Sequence, residues 1–436
     1  MAPFRKALVL AAVSATAIAA AGNASASSFS LRSGQSAQGL GLSFAGAASG
    51  GIGLGAMAWN PATITMFPGR NSQLNATYIL PRAAFTSNDP QTLATAAALG
   101  LQPNSGNIGG NGAFVPASYT NFQVGDLYIG WTTGAPYGLS SKPDNPNFVG
   151  RLYNRSASIR TINVAPTIGW RVNDMLALGA AVQAQYIDIS LKRALANGAT
   201  SILEGDDIAL GFRVGATLTP WEGATFGIGY RSAVEHDLEG TISQPGANLP
   251  INARLHLPDS ITVGYSQRLG DRWTVHLGGE WTNWSVFDDI PIRLAANNAV
   301  IQTLSFQYRD SYYLSGGVEY AWNDRLTLRG GVAYEWSAVS DRVRTTIISD
   351  NDRLWLSAGF GYQLTEQLRL DGAYSHLFVK DAPVNLSPGS GNPSFAAPVV
   401  YRGEAEPSID VVSVSLTYRW DRPQAATAVP GGVYKP

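Results

Sequence analysis

Few residues in this chain could carry covalent chemistry. It has no cysteine, which removes thiolate nucleophiles, thiolate metal sites and disulfide scaffolds. Its histidines, His236, His256, His276 and His376, are scattered and lack metal-ligand spacing. Their positions define no Ser/His/acid set, so no catalytic residue, metal or cofactor is assigned. Gly51-Ile52-Gly53-Leu54-Gly55-Ala56 imitates a dinucleotide loop, but no strand leads into it and no helix-forming segment follows. What remains is a pattern suited to recognition. Ile187, Ile189 and Leu191 share a face with Arg193 by period two, an apolar row ending in a guanidinium. The row either lines an interior or faces lipid, with Arg193 snorkelling at the rim.

The elements around this row begin with an export signal. Residues 1–26 combine a basic start (Arg5, Lys6), an apolar run from Ala7 to Ala21 and a small-residue end, Ala24-Ser25-Ala26. This reads as a cleaved signal peptide, since the run is short of the ~20 residues a membrane helix needs. Without it the formal balance is 28 basic against 31 acidic residues, or -3 (30 minus Arg5 and Lys6). Neither a nucleic-acid surface nor an acidic tail is indicated. The next stretch, 27–71, is rich in Gly, Ala and Ser and closes on Trp59-Asn60-Pro61-Ala62. Gly costs roughly 1 kcal/mol per interior helical position, and no sustained alternation supports a strand. Such a segment suits a space enclosed by something else: a plug, or hatch. Asn60 before Pro61 favours a turn, and its side chain can satisfy backbone groups there. Asn60, Pro61 and Ala62 are therefore hatch residues, with holding the turn as their first role and gating as a second.

Residues 72–420 read as the enclosure. Short turns occur at Phe122–Asp126, Arg171–Asp174, Thr219–Gly223, Leu269–Arg272, Trp322–Asp324 and Leu364–Gln367, with the Asn, Asp and Gly that hairpins favour. Longer polar stretches lie at roughly 86–112, 138–157, 194–202, 239–250, 289–302, 340–351 and 381–405. Six short turns alternating with seven long loops connect fourteen strands, the pattern of an all-β transmembrane barrel with periplasmic turns and extracellular loops. Strands alternate: Leu326, Leu328, Val332, Tyr334 and Trp336 oppose Thr327, Arg329, Ala333 and Glu335. A charge facing lipid at mid-depth costs ~2–4 kcal/mol, so Arg329, Glu335 and Glu280 should face the lumen. Only 14% of residues are charged, which argues against the charged lumen of a general diffusion porin, the alternative architecture. In the third strand, Gly134-Ala135-Pro136 interrupts a well-alternating segment. Pro cannot donate to the ladder, so the strand either kinks or ends there.

The order and spacing of several pieces resemble the FadL family of outer-membrane transporters. They include Asn60-Pro61-Ala62 with its Gly-rich lead-in, Val115-Pro116, Pro136-Tyr137-Gly138-Leu139 and Tyr230-Arg231-Ser232. Leu257-Pro258, Trp281-Thr282-Asn283-Trp284-Ser285 and Asp352-Arg353-Leu354-Trp355 continue the match. The resemblance implies a fourteen-stranded antiparallel barrel with an N-terminal hatch, in the outer membrane of a Gram-negative bacterium. It favours the kink at Gly134, Ala135 and Pro136, opening a lateral gap. The implied partners are a long-chain fatty acid or other hydrophobic small molecule, outer-membrane lipid and the barrel assembly machinery. Residues 421–436 extend past Trp420, where such barrels usually end, and read as a periplasmic tail.

The implied mechanism is passive uptake: capture in an apolar pocket, hatch movement, then lateral exit. About fifteen buried methylenes contribute at most ~12 kcal/mol, whereas a charge-assisted bond to a carboxylate adds ~1.5–3 kcal/mol. The tail would dominate affinity and a basic anchor would set orientation. Arg193, beyond Ile187, Ile189 and Leu191, is similar to the family's carboxylate-binding arginine after a two-residue shift. Arg309 is the nearest residue to a second basic anchor and is off register. Ala135 stands where the family carries a hydroxyl. These departures leave room for a neutral ligand such as an aromatic hydrocarbon.

Overall fold

Nineteen hydrogen-bonded segments form one antiparallel sheet in the computed structural model, which describes residues 30–421 apart from 111 and 196. Three wall strands are each broken in two and one outer hairpin accounts for two segments, leaving fourteen wall strands. They are β1 (Arg70–Arg82), β2 (Ala113–Val124), β3 (Leu127–Gly134 and Gly138–Ser141), β4 (Ser156–Arg171) and β5 (Leu176–Ala194). Next come β6 (Thr200–Leu218), β7 (Ala224–Arg231 and Val234–Gln244), β8 (Ala247–Leu257 and Ser260–Leu269) and β9 (Trp273–Thr282). The last are β10 (Ser311–Ala321), β11 (Leu326–Trp336), β12 (Arg353–Gln363), β13 (Leu368–Val379) and β14 (Ser408–Arg419). β1 pairs with β14 from Asn71↔Arg419 to Arg82↔Ser408, which closes the barrel and removes both sheet edges. The expected signal peptide and the tail beyond Asp421 lie outside the described residues.

Alternation sorts the two faces. On β6, Ile208 and Leu210 are 68% and 70% exposed while Arg213 is buried: the apolar residues meet lipid and the charge meets the lumen. Arg329, Glu280 and Glu335 also point inward, each into an ion pair. Aromatic pairs such as Trp273–Tyr320, with centroids 4.4 Å apart, stand at the ends of the apolar band, where amphipathic rings are favoured.

The six short turns fall where their Asn, Asp and Gly residues predict. Four expected loops hold strand: 138–157 opens with the wall segment Gly138–Ser141 and 381–405 contains the paired strands Ala382–Leu386 and Tyr401–Ala405, and the other two are 239–250 and 289–302. Over 239–250, β7 runs to Gln244 and β8 starts at Ala247, with Gly246 at φ +81° in the turn. This region is a strand pair whose outer face stands in water. Glu235 meets His256 at 2.7 Å and Asp237 meets Arg254 at 2.8 Å, and those charges disguise a strand whose inner face, Leu238, Ile242, Ile251 and Leu255, is buried. Over 289–302 the expected loop contains most of a hairpin, Asp289–Leu294 with Val300–Ser305.

Residues 30–69 fold as short helical turns inside the wall. Ser36 caps the helix Ala37–Gly41 through the Gly39 amide, and the turns Gly53–Ala58 and Pro61–Met66 follow. Wall glycines make room for this backbone. A methyl on Gly179 would overlap Pro61–Ala62, one on Gly215 the Asn60 side chain, and one on Gly331 the backbone of Leu42. Outside, a three-stranded sheet (Phe85–Thr86, Ala382–Leu386, Tyr401–Ala405) and the helix Pro90–Ala98 form a small layer. Its core stacks Phe85, Phe148 and Tyr401.

Candidate ligand tunnel

The upper part of the lumen is an apolar chamber of about 670 Å³. Period-two alternation on β4–β8 supplies Ile159, Ile189, Leu191, Leu203, Leu238 and Leu255, and the outer hairpin region adds Phe287, Ile290, Ile292, Leu304 and Phe306. Ile187 is fully buried in the same cluster, so this row points inward. Glu204 also borders the chamber, but its exposed side chain takes the Ser190 hydroxyl at 2.9 Å. Tyr308 packs in the same cluster. Burial, aided by the charge of Asp350, pushes its phenol up, so it stays neutral and belongs to the apolar wall.

Below lies a chamber of about 560 Å³ with mixed lining. Tyr137 and Trp284 belong both to the cluster around the upper chamber and to this lining, and they meet edge to face at 6.0 Å. They are the partition. The hatch contributes Ser30, Leu31, Arg32, Gln35, Ala58 and Trp59 to the lower lining. Arg32 pairs with Glu280 and lies 4.1 Å over the Tyr313 ring.

The wall is incomplete beside this chamber. β2 pairs with β3 only from Ser118↔Thr133 to Val124↔Leu127. Its outer part, 113–117, pairs with β1 alone, and Gly138–Ser141 pairs with β4 alone. The break follows from Pro136, which has no amide hydrogen. Hatch groups take up the freed carbonyls: Leu31 N donates to Pro136 O at 2.9 Å and Gln35 Nε2 to Ala135 O at 2.7 Å. Ser30 bridges Tyr137.

The other anticipated residues are distributed as follows. Asn60 accepts the Ala62 amide at 3.0 Å and donates to Ala48 O and, on β6, Ala216 O at 2.7 and 2.9 Å, so it both caps its turn and ties the hatch to the wall. Arg193 lies one step beyond Leu191 at the outer rim, with Gln302 at 3.3 Å, and does not line the chamber. Arg309 is not brought to the chamber: it is exposed, with Nε on the Ser337 carbonyl at 3.1 Å. Arg32, Arg231, Tyr137 and Trp284 carry no role in the sequence reading, although the rule that sent Glu280 and Arg329 inward applies equally to Arg231.

One constellation imitates an enzyme. Ser266 Oγ lies 2.8 Å from His276 Nδ1, and His276 Nε2 lies 3.9 Å from Glu319. Both Ser266 and His276 are buried and sealed by Gly46 and Gly51 of the hatch, whose Cβ positions would touch them. Ser49 Oγ takes Ser266 at 2.7 Å. The group fastens the hatch.

A closed outer-membrane barrel with a luminal hatch and an apolar chamber is a transporter of hydrophobic compounds, not an enzyme. The chain belongs to the family described as outer membrane protein transport protein (OMPP1/FadL/TodX), whose profile matches residues 17–420; it is an outer-membrane protein of a Gram-negative bacterium. It is 25% identical over 410 residues to the long-chain fatty acid transport protein of Escherichia coli O6:H1, covering 83% of this chain and 89% of that one. It is 26% identical over 402 residues to outer membrane protein P1 of Haemophilus influenzae, covering 78% and 84%. Among solved structures, a Pseudomonas aeruginosa FadL homologue superposes with a TM-score of 0.79 at 24% identity, covering 89% of this chain and 98% of that one. The Ralstonia pickettii toluene transporter TbuX superposes with a TM-score of 0.65 at 19% identity, covering 88% and 98%. These two structures share the fold.

Proposed function

We propose that the barrel takes up long-chain fatty acids passively, and that the broken wall at Gly134, Ala135 and Pro136 is their exit. The observation that carries this reading is the β2–β3 gap beside a hatch-lined chamber, with the apolar chamber above it. The extracellular loops capture the ligand. Ile187, Ile189 and Leu191 receive the tail, and Arg193 at the rim meets the carboxylate on entry. Hatch movement, with Asn60, Pro61 and Ala62 holding the moving turn, withdraws Leu31 and Gln35 from the kink carbonyls. The ligand then leaves sideways between β2 and β3. In this reading residues 27–71 are the hatch, 72–420 the barrel and 421–436 a periplasmic tail. The E. coli relative's name supports the acid; the TbuX title supports a neutral aromatic as the second ligand class.

The cysteine-free chain allows a direct test. A Cβ on Gly134 would lie 3.5 Å from the Ala117 Cβ, within disulfide reach. Ala117→Cys with Gly134→Cys staples the margin of the gap. Uptake of a labelled long-chain fatty acid should fall on oxidation and return on reduction, with binding unchanged. Equal uptake in both states would exclude this exit. Competition between the acid and toluene for the purified barrel separates the two ligand classes.

A further inference from the structure

We infer that the upper chamber has a side entrance between β6 and β7, through which uncharged long-chain molecules already dissolved in the outer leaflet reach it. This rests on the upper chamber as the seat of the acyl tail. It adds a way in from the membrane, on strands remote from the break at Pro136.

The entrance is a second break in the wall. Two ladders join β6 to β7: Ile202–Asp206 with Glu239–Ser243, and Arg213–Leu218 with Phe226–Arg231. Between them, 207–212 of β6 stand against 232–238 of β7, which is one residue longer, and no ladder among the described residues pairs them. An extra residue of this kind disrupts the register locally. The lower end is tied by Ser232 N donating to Phe212 O and Phe212 N to Ser232 Oγ, each at 2.9 Å. Above that tie each margin is laddered on its far side, β6 to β5 and β7 to β8.

Side chains close what backbone leaves open. His236 Nδ1 on β7 lies 2.9 Å from Asp207 Oδ2 on β6, and His236 Nε2 lies 3.2 Å from Gln185 Oε1 on β5. His236 is fully buried, so this latch sits within the wall. A side-chain pair parts at the cost of one or two hydrogen bonds, whereas a ladder parts bond by bond. Just above the latch the chamber comes to the wall. Its lining includes Gly205 and Gly240, which pair across β6 and β7, and Glu204, whose exposed side chain stands on the outer face with Ser190. At that height backbone alone separates the chamber from the outside. Leu238, on the inner side of the gap, lines the same chamber.

The margins decide what passes. On β6, Ile208 and Leu210 face lipid, so the approach from the bilayer is apolar. At the upper end Asp206 stands directly opposite Glu239, and neither they nor Glu204 is ion-paired among the described residues. On the β7 side, Arg254 and His256 are already shared with Glu235 and Asp237. Surplus carboxylates repel an ionised acid and leave an alcohol or a hydrocarbon unaffected. An ionised acid therefore enters by the extracellular mouth, past Arg193, and a neutral chain through the wall.

The test uses hexadecan-1-ol and hexadecanoic acid, each with a diazirine at the chain end, and the purified full barrel in lipid vesicles at about pH 9, where the acid is ionised. Light should attach both to chamber residues such as Leu203 and Leu238, read by peptide mass. Asp207→Ala removes the latch and should speed alcohol labelling of the chamber by about tenfold, the population change that loss of one such bond allows. His236→Cys with Asp207→Cys should do the same. Once a short thiol-to-thiol cross-linker spans the gap, alcohol labelling should drop below the native rate. Acid labelling should stay within about twofold throughout, which certifies the fold. Alcohol labelling that neither latch removal nor cross-linking changes would overturn the inference. So would acid and alcohol labelling falling together on cross-linking, the sign of a distorted chamber. Chamber labelling by the acid alone would overturn the side entrance and leave acyl-chain uptake standing. Labelling by neither would overturn both.

Discussion

The two chambers are built from different materials. The upper one is walled by strands and extracellular segments alone, and no hatch residue borders it. The lower one takes six of its fourteen lining residues from the hatch. The upper chamber is an apolar fixture; the lower is polar, charged and half made of a separate piece. Affinity from buried methylenes needs only a rigid greasy wall. Control needs a contact that can be exchanged, and hydrogen bonds or ion pairs are exchangeable where packed backbone is not. On the proposed uptake route, this division would place binding strength above and release below.

The strongest way to break this comparison is to loosen the lower region alone. Asp371 is fully buried and takes Arg329 at 2.7 Å, Arg369 at 3.1 Å and hatch residue Gln38 at 3.0 Å. Breaking such a buried network by removing one charge costs about 3–5 kcal/mol. Asp371→Asn should lower the melting temperature and expose hatch amides to hydrogen exchange, while hexadecan-1-ol binding in the upper chamber persists. Loss of that binding in a folded barrel would show that the chambers are not separable.

The converse variant fills the upper chamber. Ala253 on β8 lines it and is half-buried. Ala253→Trp should exclude three or four methylenes of ligand, about 3 kcal/mol at ~0.8 kcal/mol each. Acid and alcohol should weaken together by roughly a hundredfold, with melting temperature and hatch protection unchanged. Selective loss of the acid would show that this wall reads the head group as well as the tail.

A milder probe addresses the seat of the hatch. Gly215→Val would press a side chain into Asn60, and overpacking of this kind costs about 1–3 kcal/mol. The plug should be displaced rather than the barrel unfolded, and single-channel recordings should show higher ion conductance than in the native protein. Unchanged conductance would mean that the wall, not the hatch, yields.

These glycines also show where sequence reading stops. Alternation, turn residues and the inward-charge rule are local, and they were enough for fourteen strands, their order and the facing of Glu280, Arg329 and Glu335. Gly179, Gly215 and Gly331 looked like ordinary strand glycines, because what requires them is hatch backbone or, at Gly215, the Asn60 side chain, more than a hundred residues earlier in the chain. The row Ile187, Ile189 and Leu191 was visible as a face, but its choice between lumen and lipid needed the barrel's handedness of facing. Glu235 and Asp237 hid a strand because water, not lipid, bathes that part of the wall. Arg231 was legible as an inward charge; that among the described residues no carboxylate pairs with it, whereas Glu319 and Asp371 pair with Arg329, depends on side chains brought from elsewhere in the chain.

The smallest expected effect sharpens the upper boundary. Asp89 starts the extracellular helix Pro90–Ala98, accepting the Thr92 amide at 2.8 Å and its hydroxyl at 3.1 Å. Its modest burial raises the carboxyl's pKa, but these bonds and the nearby Arg402 outweigh it and hold the group below the usual carboxylate range. A depressed folded-state value means that its stabilisation is present above the unfolded value and fades as pH falls through the folded one. Hydrogen-exchange protection at Pro90–Ala98, taken relative to the intrinsic rate at each pH, should therefore fall as pH drops below about 4, and Asp89→Ala should show the lower protection already at pH 7. The group is half-buried, and its hydrogen bonds go to the first turn of this same helix, so the change should remain local. Alcohol binding should stay within about twofold across that range, because the chamber's aliphatic walls do not titrate. A larger loss would tie the outer helix to the chamber and make the loop layer part of the binding site.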